Sequence, residues 1–179
     1  DFLENKKHEV YKFDLVDGEN YDLRIHNNLI LKQYIEECDF VFFLAFDVGG
    51  SRYLKKYQHT FEFVDNNLKI LTNTFELLKE YKKPFIFASS QMSNMSFSPY
   101  GVSKSLGELM TKTLNGLVVK FWNVYGVEKD LEKSHVITDF ILKAIDGGNI
   151  DMLTDGEEER QFLYSYDCCE ALYILSQQY

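Results

Sequence analysis

The chain has 179 residues, the size of one domain or of one domain and part of a second, and a formal net charge of −9. That charge excludes a broad nucleic-acid or acidic-membrane surface, both of which need clustered cations, but leaves room for an anionic small ligand held by a few local donors. With 45% hydrophobic and 16% aromatic residues the chain can bury a packed core, which excludes a disordered class.

Taken in order, residues 1–7 read as the tail of a helix, and 8–14 (HEVYKFD) as a strand. Residues 28–37 read as a helix and 39–45 (DFVFFLA) as a strand buried on both faces, since its apolar run is unbroken. A long amphipathic helix over 60–81 is closed by Lys83-Pro84, which opens the strand 85–89 (FIFAS). A helix over 100–114 stops at Asn115-Gly116, and 117–122 (LVVKFW) is a strand. A helix over 134–146, a short strand over 150–153 and a helix over 167–177 complete the chain. Strands alternating with longer helices predict an α/β fold with a parallel sheet. The rhythm loosens near Gly126, which divides the chain into 1–126 and 127–179.

No apolar run approaches the ~18–20 residues of a membrane-spanning helix, and the charged first residues show no signal peptide. Cys38, Cys168 and Cys169 form no disulfide framework and, like the scattered His8, His26, His59 and His135, no metal-ligand spacing. They read as small buried hydrophobes in a reducing, cytoplasmic compartment, with no metal expected.

One cluster carries chemistry. Tyr100 and Lys104 are four residues apart, hence on one helix face, and ten residues after Ser90 at the end of an apolar strand. An ammonium beside a phenol favours the phenolate, and a nearby alcohol can hold a substrate oxygen within reach of it. The plain alternative is a surface helix start with Pro99 in its first turn and a solvated lysine. Tyr125 and Lys129 repeat the spacing without a strand-borne serine upstream, so context selects Tyr100.

A strand ending Ala88-Ser89-Ser90, then Pro99-Tyr100-Gly101-Val102-Ser103-Lys104, then a strand entering Asn123-Val124-Tyr125-Gly126, resembles the extended short-chain dehydrogenase/reductases. Within them the resemblance is to the NAD-dependent sugar-nucleotide epimerases and dehydratases. Asp22-Leu23-Arg24, Phe43-Leu44-Ala45, Asn67-Leu68 with Asn73, and Asp155-Gly156 through Arg160-Gln161-Phe162 resemble further family segments in the same order. The resemblance implies a Rossmann-type doubly wound parallel sheet followed by the start of a small substrate domain. It implies Ser90, Tyr100 and Lys104 as catalytic residues, with Tyr100 as general acid/base and Lys104 lowering its pKa and holding the nicotinamide ribose. Asp14 would grip the adenosine ribose, and its charge favours NAD over NADP by repelling a 2′-phosphate. Asp22 and Leu23 would meet adenine, Leu44, Ala45 and Asn67 would lie on the cofactor side, and Asn123 and Arg160 would meet a nucleotide-diphosphate sugar. The residues themselves leave alternatives: Asp14 as a turn residue, Asn67 as a helix-lining amide, Arg160 paired with Glu157-Glu158-Glu159. Trp122 reads as core.

The family's glycine fingerprint is absent, since no G-x-G occurs. The expectation is a chain lacking the first strand and the phosphate-cradling loop, and ending early in the substrate domain. Ser90 is followed by Gln91-Met92, neither an acid nor a base, where family dehydratases carry Asp-Glu. This favours epimerisation or keto-reduction of a nucleotide sugar through a transient keto-sugar over 4,6-dehydration. A non-catalytic nucleotide-binding or regulatory module of the same fold is the alternative. The resemblance also implies a homodimer through the helices 60–81 and 100–114, whose apolar faces could instead pack within one subunit.

Overall fold

A run of Phe85-Ile86-Phe87-Ala88 has no polar face, so a strand built from it has to be covered on both sides. In the computed structural model, which describes residues 1–128, 135–152 and 154–179, all six residues of the strand Phe85–Ser90 are buried. The elements in order are α1 (Phe2–Asn5), α2 (Leu29–Glu37), β1 (Val41–Phe43), α3 (Ser51–Tyr57), α4 (Phe61–Tyr81), β2 (Phe85–Ser90), α5 (Pro99–Thr113), β3 (Leu117–Phe121), β4 (Asn123–Tyr125), α6 (Val136–Ile145), β5 (Phe162–Tyr164) and α7 (Ser165–Gln177). Short 3-10 turns occur at Leu15–Asp17, Glu19–Tyr21 and Gln91–Asn94.

The central sheet is parallel, ordered β1-β2-β3, with Phe43 opposite Phe87 and Ser90 opposite Phe121. Alternation along β2 sends Phe85 and Phe87 to one face, where they join Phe43 and the α4 residues Ile70, Leu71, Phe75 and Leu78. The Phe75 ring stands 5.6–5.9 Å from those of Phe43, Phe85 and Phe87, in the edge-to-face range that adds to burial. Ile86 points to the other face and packs against Cys168 and Leu172 of α7, with Phe42 and Val119 alongside. Helix α2 extends the first layer, setting Leu31 and Ile35 against Leu77 of α4. Helices on both faces of a parallel sheet make the α/β, Rossmann-type arrangement expected. Helix α7, though it follows Gly126, covers the sheet of the first region.

Helix starts follow local chemistry. The Asn28 side chain accepts the Ile30 and Leu31 N–H groups, Thr60 that of Phe63, and Ser98 that of Gly101.

Several expected elements differ. Residues 8–14 form no strand: a strand exists only by pairing, and among the described residues this segment has no ladder partner, with only Val10 and Phe13 turned partly inward. The strand expected over 39–45 shortens to Val41–Phe43 because the Leu44 N–H turns back onto the Phe42 carbonyl (3.1 Å). Residues 150–152 form no strand, Ile150 and Met152 being exposed, and Leu153 lies outside the described residues. So do Lys129 and the loosened stretch through Ser134. The strand 117–122 breaks at Trp122, and β4 instead pairs in parallel with β5 in a second, two-stranded sheet. No helix among the described residues is long and apolar enough to cross a membrane.

Helix α5 approaches β2 closely because Gly107 carries no side chain. A Cβ there would stand 2.3 Å from the Phe87 ring and 3.1 Å from Leu71. Gly107→Ala is therefore expected to lower unfolding free energy by about 1–3 kcal/mol from overpacking, outweighing the helix-propensity gain of about 1 kcal/mol. Gly148→Ala, which meets nothing nearer than 3.9 Å, is the control. Urea midpoints of the two variants check this, and a stabilised Gly107→Ala protein would contradict the packing argument.

Candidate active site

The site begins at the carboxyl end of β2. Ser90 is its last residue, and the Ser90 Oγ accepts the Met92 N–H (3.2 Å), capping the 3-10 turn Gln91–Asn94. The chain then reaches Ser98, whose Oγ accepts the Gly101 N–H (3.1 Å) and donates to Gln58 Oε1 (2.8 Å). Pro99 supplies a preset φ for the first turn of α5, which places Tyr100 there. Gly101 lets this turn sit on the preceding one: a Cβ would stand 2.2 Å from the Met92 carbonyl oxygen and 3.0 Å from that of Met95.

These constraints bring Ser90, Tyr100 and Lys104 together in a dry environment, with exposures of 9%, 8% and 3%. Phe46 closes the pocket from the loop after β1. Its ring meets that of Tyr100 edge-on at 5.8 Å, and the Lys104 Nζ lies 3.8 Å from its centre, within cation–π range.

Burial dominates the electrostatics. It pulls the Lys104 amine down to about 7, and it pushes the Tyr100 phenol above its ordinary value while the Ser90 hydroxyl acts in the opposite sense. Lys104, expected to lower the Tyr100 pKa, is not among the groups that shift it in this arrangement. The amine donates to the Ala88 carbonyl (2.6 Å) and stands 5.8 Å from the centre of the Tyr100 ring. Helical spacing placed both groups on one face, but the strand beneath chose the amine's partner. An ammonium has three donors, and among the described residues Ala88 accepts only one, so the site has donor capacity for ribose hydroxyls.

Of the remaining residues expected at the cofactor, two flank this edge directly. Leu44 and Ala45 follow β1 at the same carboxyl edge, Leu44 half exposed and Ala45 partly buried against the core. Asn67 is fully buried and works as a loop anchor: its Oδ1 accepts the Asp47 N–H (2.8 Å) and its Nδ2 donates to the Asp47 and Phe63 carbonyls. Asn73 donates to the Leu23 carbonyl (2.8 Å) and ties the 22–24 segment to α4. The Asp22 carboxylate is held by Arg24 (2.7–3.0 Å), whose hydrogen bonds keep it below the usual carboxylate range. Asp14 is exposed and accepts the Val16 N–H (3.1 Å), the turn-capping alternative. No hydrogen bond among the described residues joins it to the Ser90, Tyr100 and Lys104 group.

A crevice of roughly 340 Å³ is lined by Gln91, the residue after Ser90, with Trp122, Asn123, Glu159, Arg160 and Gln161. Asn123 and Arg160 thus come together, and the Asn123 Nδ2 donates to the Gln161 carbonyl (3.2 Å). Arg160 makes no ion pair with Glu157, Glu158 or Glu159, so the surface-pair alternative is not realised among the described residues. Trp122, read as core, is instead 56% exposed on the crevice wall. Its position between two strands that join different sheets leaves no layer to cover it. Gln91 and Trp122 are lining residues that sequence reasoning missed, and adjacency to Ser90 and Asn123 was the available signal.

The depressed Lys104 pKa gives stability a pH signature. In the unfolded chain the amine holds its proton up to about its ordinary 10.5, but in the fold only to about 7. Between those values the unfolded state binds more protons, so this group's contribution rises with pH above about 7 and is lost as pH falls through it. Lys104→Met is expected to gain stability relative to the parent at about pH 6 and to lose most of that advantage by about pH 9.5. Parallel urea-midpoint curves for the two proteins across this range would contradict the burial of a titrating amine.

Comparison with known proteins bears on the same elements. A family profile described as the NAD dependent epimerase/dehydratase family matches residues 1–179. A UDP-N-acetyl-alpha-D-glucosaminuronate decarboxylase of Bacillus cytotoxicus is 27% identical over 166 residues, covering 79% of this chain and 51% of its own length. The chain thus spans about half the length of that curated relative. Among solved structures, a GDP-L-fucose synthetase from Naegleria fowleri bound to NADP superposes with a TM-score of 0.71 at 18% identity, covering 95% of this chain and 65% of that one. The Bordetella bronchiseptica enzyme WbmF, in complex with NAD+ and UDP, gives a TM-score of 0.67 at 22% identity, covering 85% and 51%. These structures share the fold with the present chain, and the match along the whole sequence shows that the chain belongs to the NAD dependent epimerase/dehydratase family.

Proposed function

We propose that the protein modifies a nucleotide-diphosphate sugar through a transient keto-sugar, with NAD as the redox partner. The observation that carries this reading is the burial of Ser90, Tyr100 and Lys104 at one sheet edge, with Gln91, the residue after Ser90, lining a crevice that also holds Asn123 and Arg160. Bound NAD would supply the hydride acceptor, and then the donor, for the sugar carbon. The protein supplies the rest. The Ser90 Oγ holds the reacting oxygen, and the Tyr100 phenol moves its proton. In its resting, protonated form the phenol is matched to donating toward a keto oxygen.

Lys104, through the donors left free by Ala88, would hold the nicotinamide ribose. Leu44 and Ala45 would line the cofactor, Asp22 and Leu23 the adenine end, and Asp14 the adenosine ribose, which favours NAD over NADP. Asn123 and Arg160 would meet the diphosphate and orient the sugar toward Ser90. On this reading 1–126 is the cofactor side and 127–179 the substrate side, with α7 returning to cover the sheet.

A keto group acidifies adjacent C–H bonds, so epimerisation and keto-reduction follow from the same first step. Gln91-Met92 offers no acid or base for elimination. A decarboxylase among the relatives adds a further outcome of that step, since a keto group two carbons from a carboxylate labilises it. Exposed Phe61 and Leu68 on α4, with Val102, Leu106 and Leu109 on the adjoining α5, support a homodimer through these helices.

The test uses the full-length protein, NAD and a panel of sugar nucleotides. Tyr100→Phe is expected to reduce turnover at least about a hundredfold, while the NAD dissociation constant stays within about threefold. Undiminished turnover in that variant would refute the role of Tyr100. Binding without turnover by the parent protein across the panel would favour a non-catalytic nucleotide-binding module.

A further inference from the structure

Helix α5 carries a third buried polar residue in line with Tyr100 and Lys104. Glu108 lies one more turn along the same face and is only 9% exposed. A carboxylate at that depth is costly unless its oxygens are bonded. Here the Ser89 Oγ donates to Glu108 Oε1 at 2.6 Å, and the Lys120 Nζ approaches the same oxygen at 3.2 Å. Lys120 also donates to Asn94 Oδ1 at 3.3 Å. Ser93 turns its buried hydroxyl toward the carboxylate without closing a direct bond. Burial alone would raise the Glu108 pKa, but these neighbours, Ser89 foremost, hold it below the usual carboxylate range.

The partners bracket Ser90. Ser89 is the residue before it, Asn94 ends the 3-10 turn that Ser90 caps, and Lys120 lies on β3 opposite Ser89. The Ser90 hydroxyl points where that turn directs it, because it accepts the Met92 N–H. Three segments are therefore gathered onto one carboxylate, on the helix that carries the phenol.

We infer that Glu108 is a positioning residue: by clamping Ser89, Lys120 and, through Lys120, the turn at Asn94, it sets where the Ser90 hydroxyl stands relative to the Tyr100 phenol. The inference rests on the reading of Ser90 and Tyr100 as the groups that handle the reacting oxygen. An apolar side chain at 108 would fill the same space without accepting from these partners, and a glutamine would accept without the charge that holds the Lys120 ammonium.

The experiment uses full-length protein, with turnover expressed per NAD-occupied site so that misfolded protein is not counted. Glu108→Gln and the milder Ser89→Ala are expected to lower kcat about tenfold or more, since small displacements of a positioned group are expensive. The NAD dissociation constant and the sugar-nucleotide KM should remain within about threefold, because neither ligand loses a contact. In a Ser90→Ala background Glu108→Gln should cost less than about twofold further, as its effect acts through the missing hydroxyl. Should Glu108→Gln fail to fold, Ser89→Ala alone and combined with Ser90→Ala makes the same comparison. Parent-like kcat in both Glu108→Gln and Ser89→Ala, or an equal loss with and without the Ser90 hydroxyl, would overturn the inference and leave a fold clamp. Tyr100→Phe runs alongside: if it too turns over like the parent, the functional reading has failed rather than the role of Glu108 alone.

Discussion

Helix α5 lies on strand β2 at a distance that two missing side chains permit. At Gly107 a methyl group would strike Phe87, and at Gly101 it would strike the backbone of the turn that follows Ser90. The first contact fixes the height of the helix over the sheet, and the second fixes its start against the strand tip. Ser90, Tyr100 and Lys104 belong to segments that these contacts hold together, so the polar site inherits its geometry from steric packing. Interiors are packed densely enough that a displaced methyl group is transmitted to its neighbours. The hydroxyl and the phenol are accordingly located by groups that have no chemistry of their own.

The same closeness sets the electrostatics. A lysine forced under the rings of Phe46 and Phe87 loses its water, and a single carbonyl bond does not replace it. Its amine is held near the neutral form, and the neighbouring phenol keeps its proton for the same reason. A lysine that would be cationic in water rests close to uncharged here, and a phenol that is neutral in water is held more firmly in that form. A site of this kind responds strongly to any charge brought into it, because little solvent is present to screen the interaction. On the proposed reading, the arriving ligand sets the protonation state in which Tyr100 works.

Much of this was legible in the sequence, and the exceptions share a physical cause. The apolar runs 39–45 and 85–89 announced strands, though only the second is buried throughout, the period of 60–81 announced α4, and Pro99 marked the first turn of α5. These signals are local. What the sequence concealed depends on non-local partners. Residues 8–14 have strand-like composition, but nothing in them states whether a ladder partner lies alongside. Strands β4 and β5 are three residues each and far apart in the chain, too short for a period and paired only by tertiary structure. Lys104 and Asn67 were recognisable as polar residues on the inner faces of helices. That Lys104 binds the Ala88 carbonyl and Asn67 the Asp47 backbone follows from which loop lies opposite, and spacing along a helix does not encode that.

The exposure of Trp122 shows how topology creates a site that composition hides. One residue separates β3, in the central sheet, from β4, in the second sheet, and Trp122 is that residue. The switch carries Asn123 out of the core and into register with Phe162, which brings Arg160 and Gln161 to the same rim. The two ends of the site then differ in kind. The Ser90 end is buried and close to uncharged, while the Arg160 end is wet and carries the Arg160 guanidinium with the Glu159 carboxylate beside it. A guanidinium stays protonated when exposed and can meet a phosphate without the desolvation a buried cation would suffer. Proton movement between hydroxyls, by contrast, gains from a dry site in which each dipole acts at full strength. On the proposed reading, a substrate with an anionic handle remote from its reacting carbon would meet Arg160 at one end and Ser90 at the other.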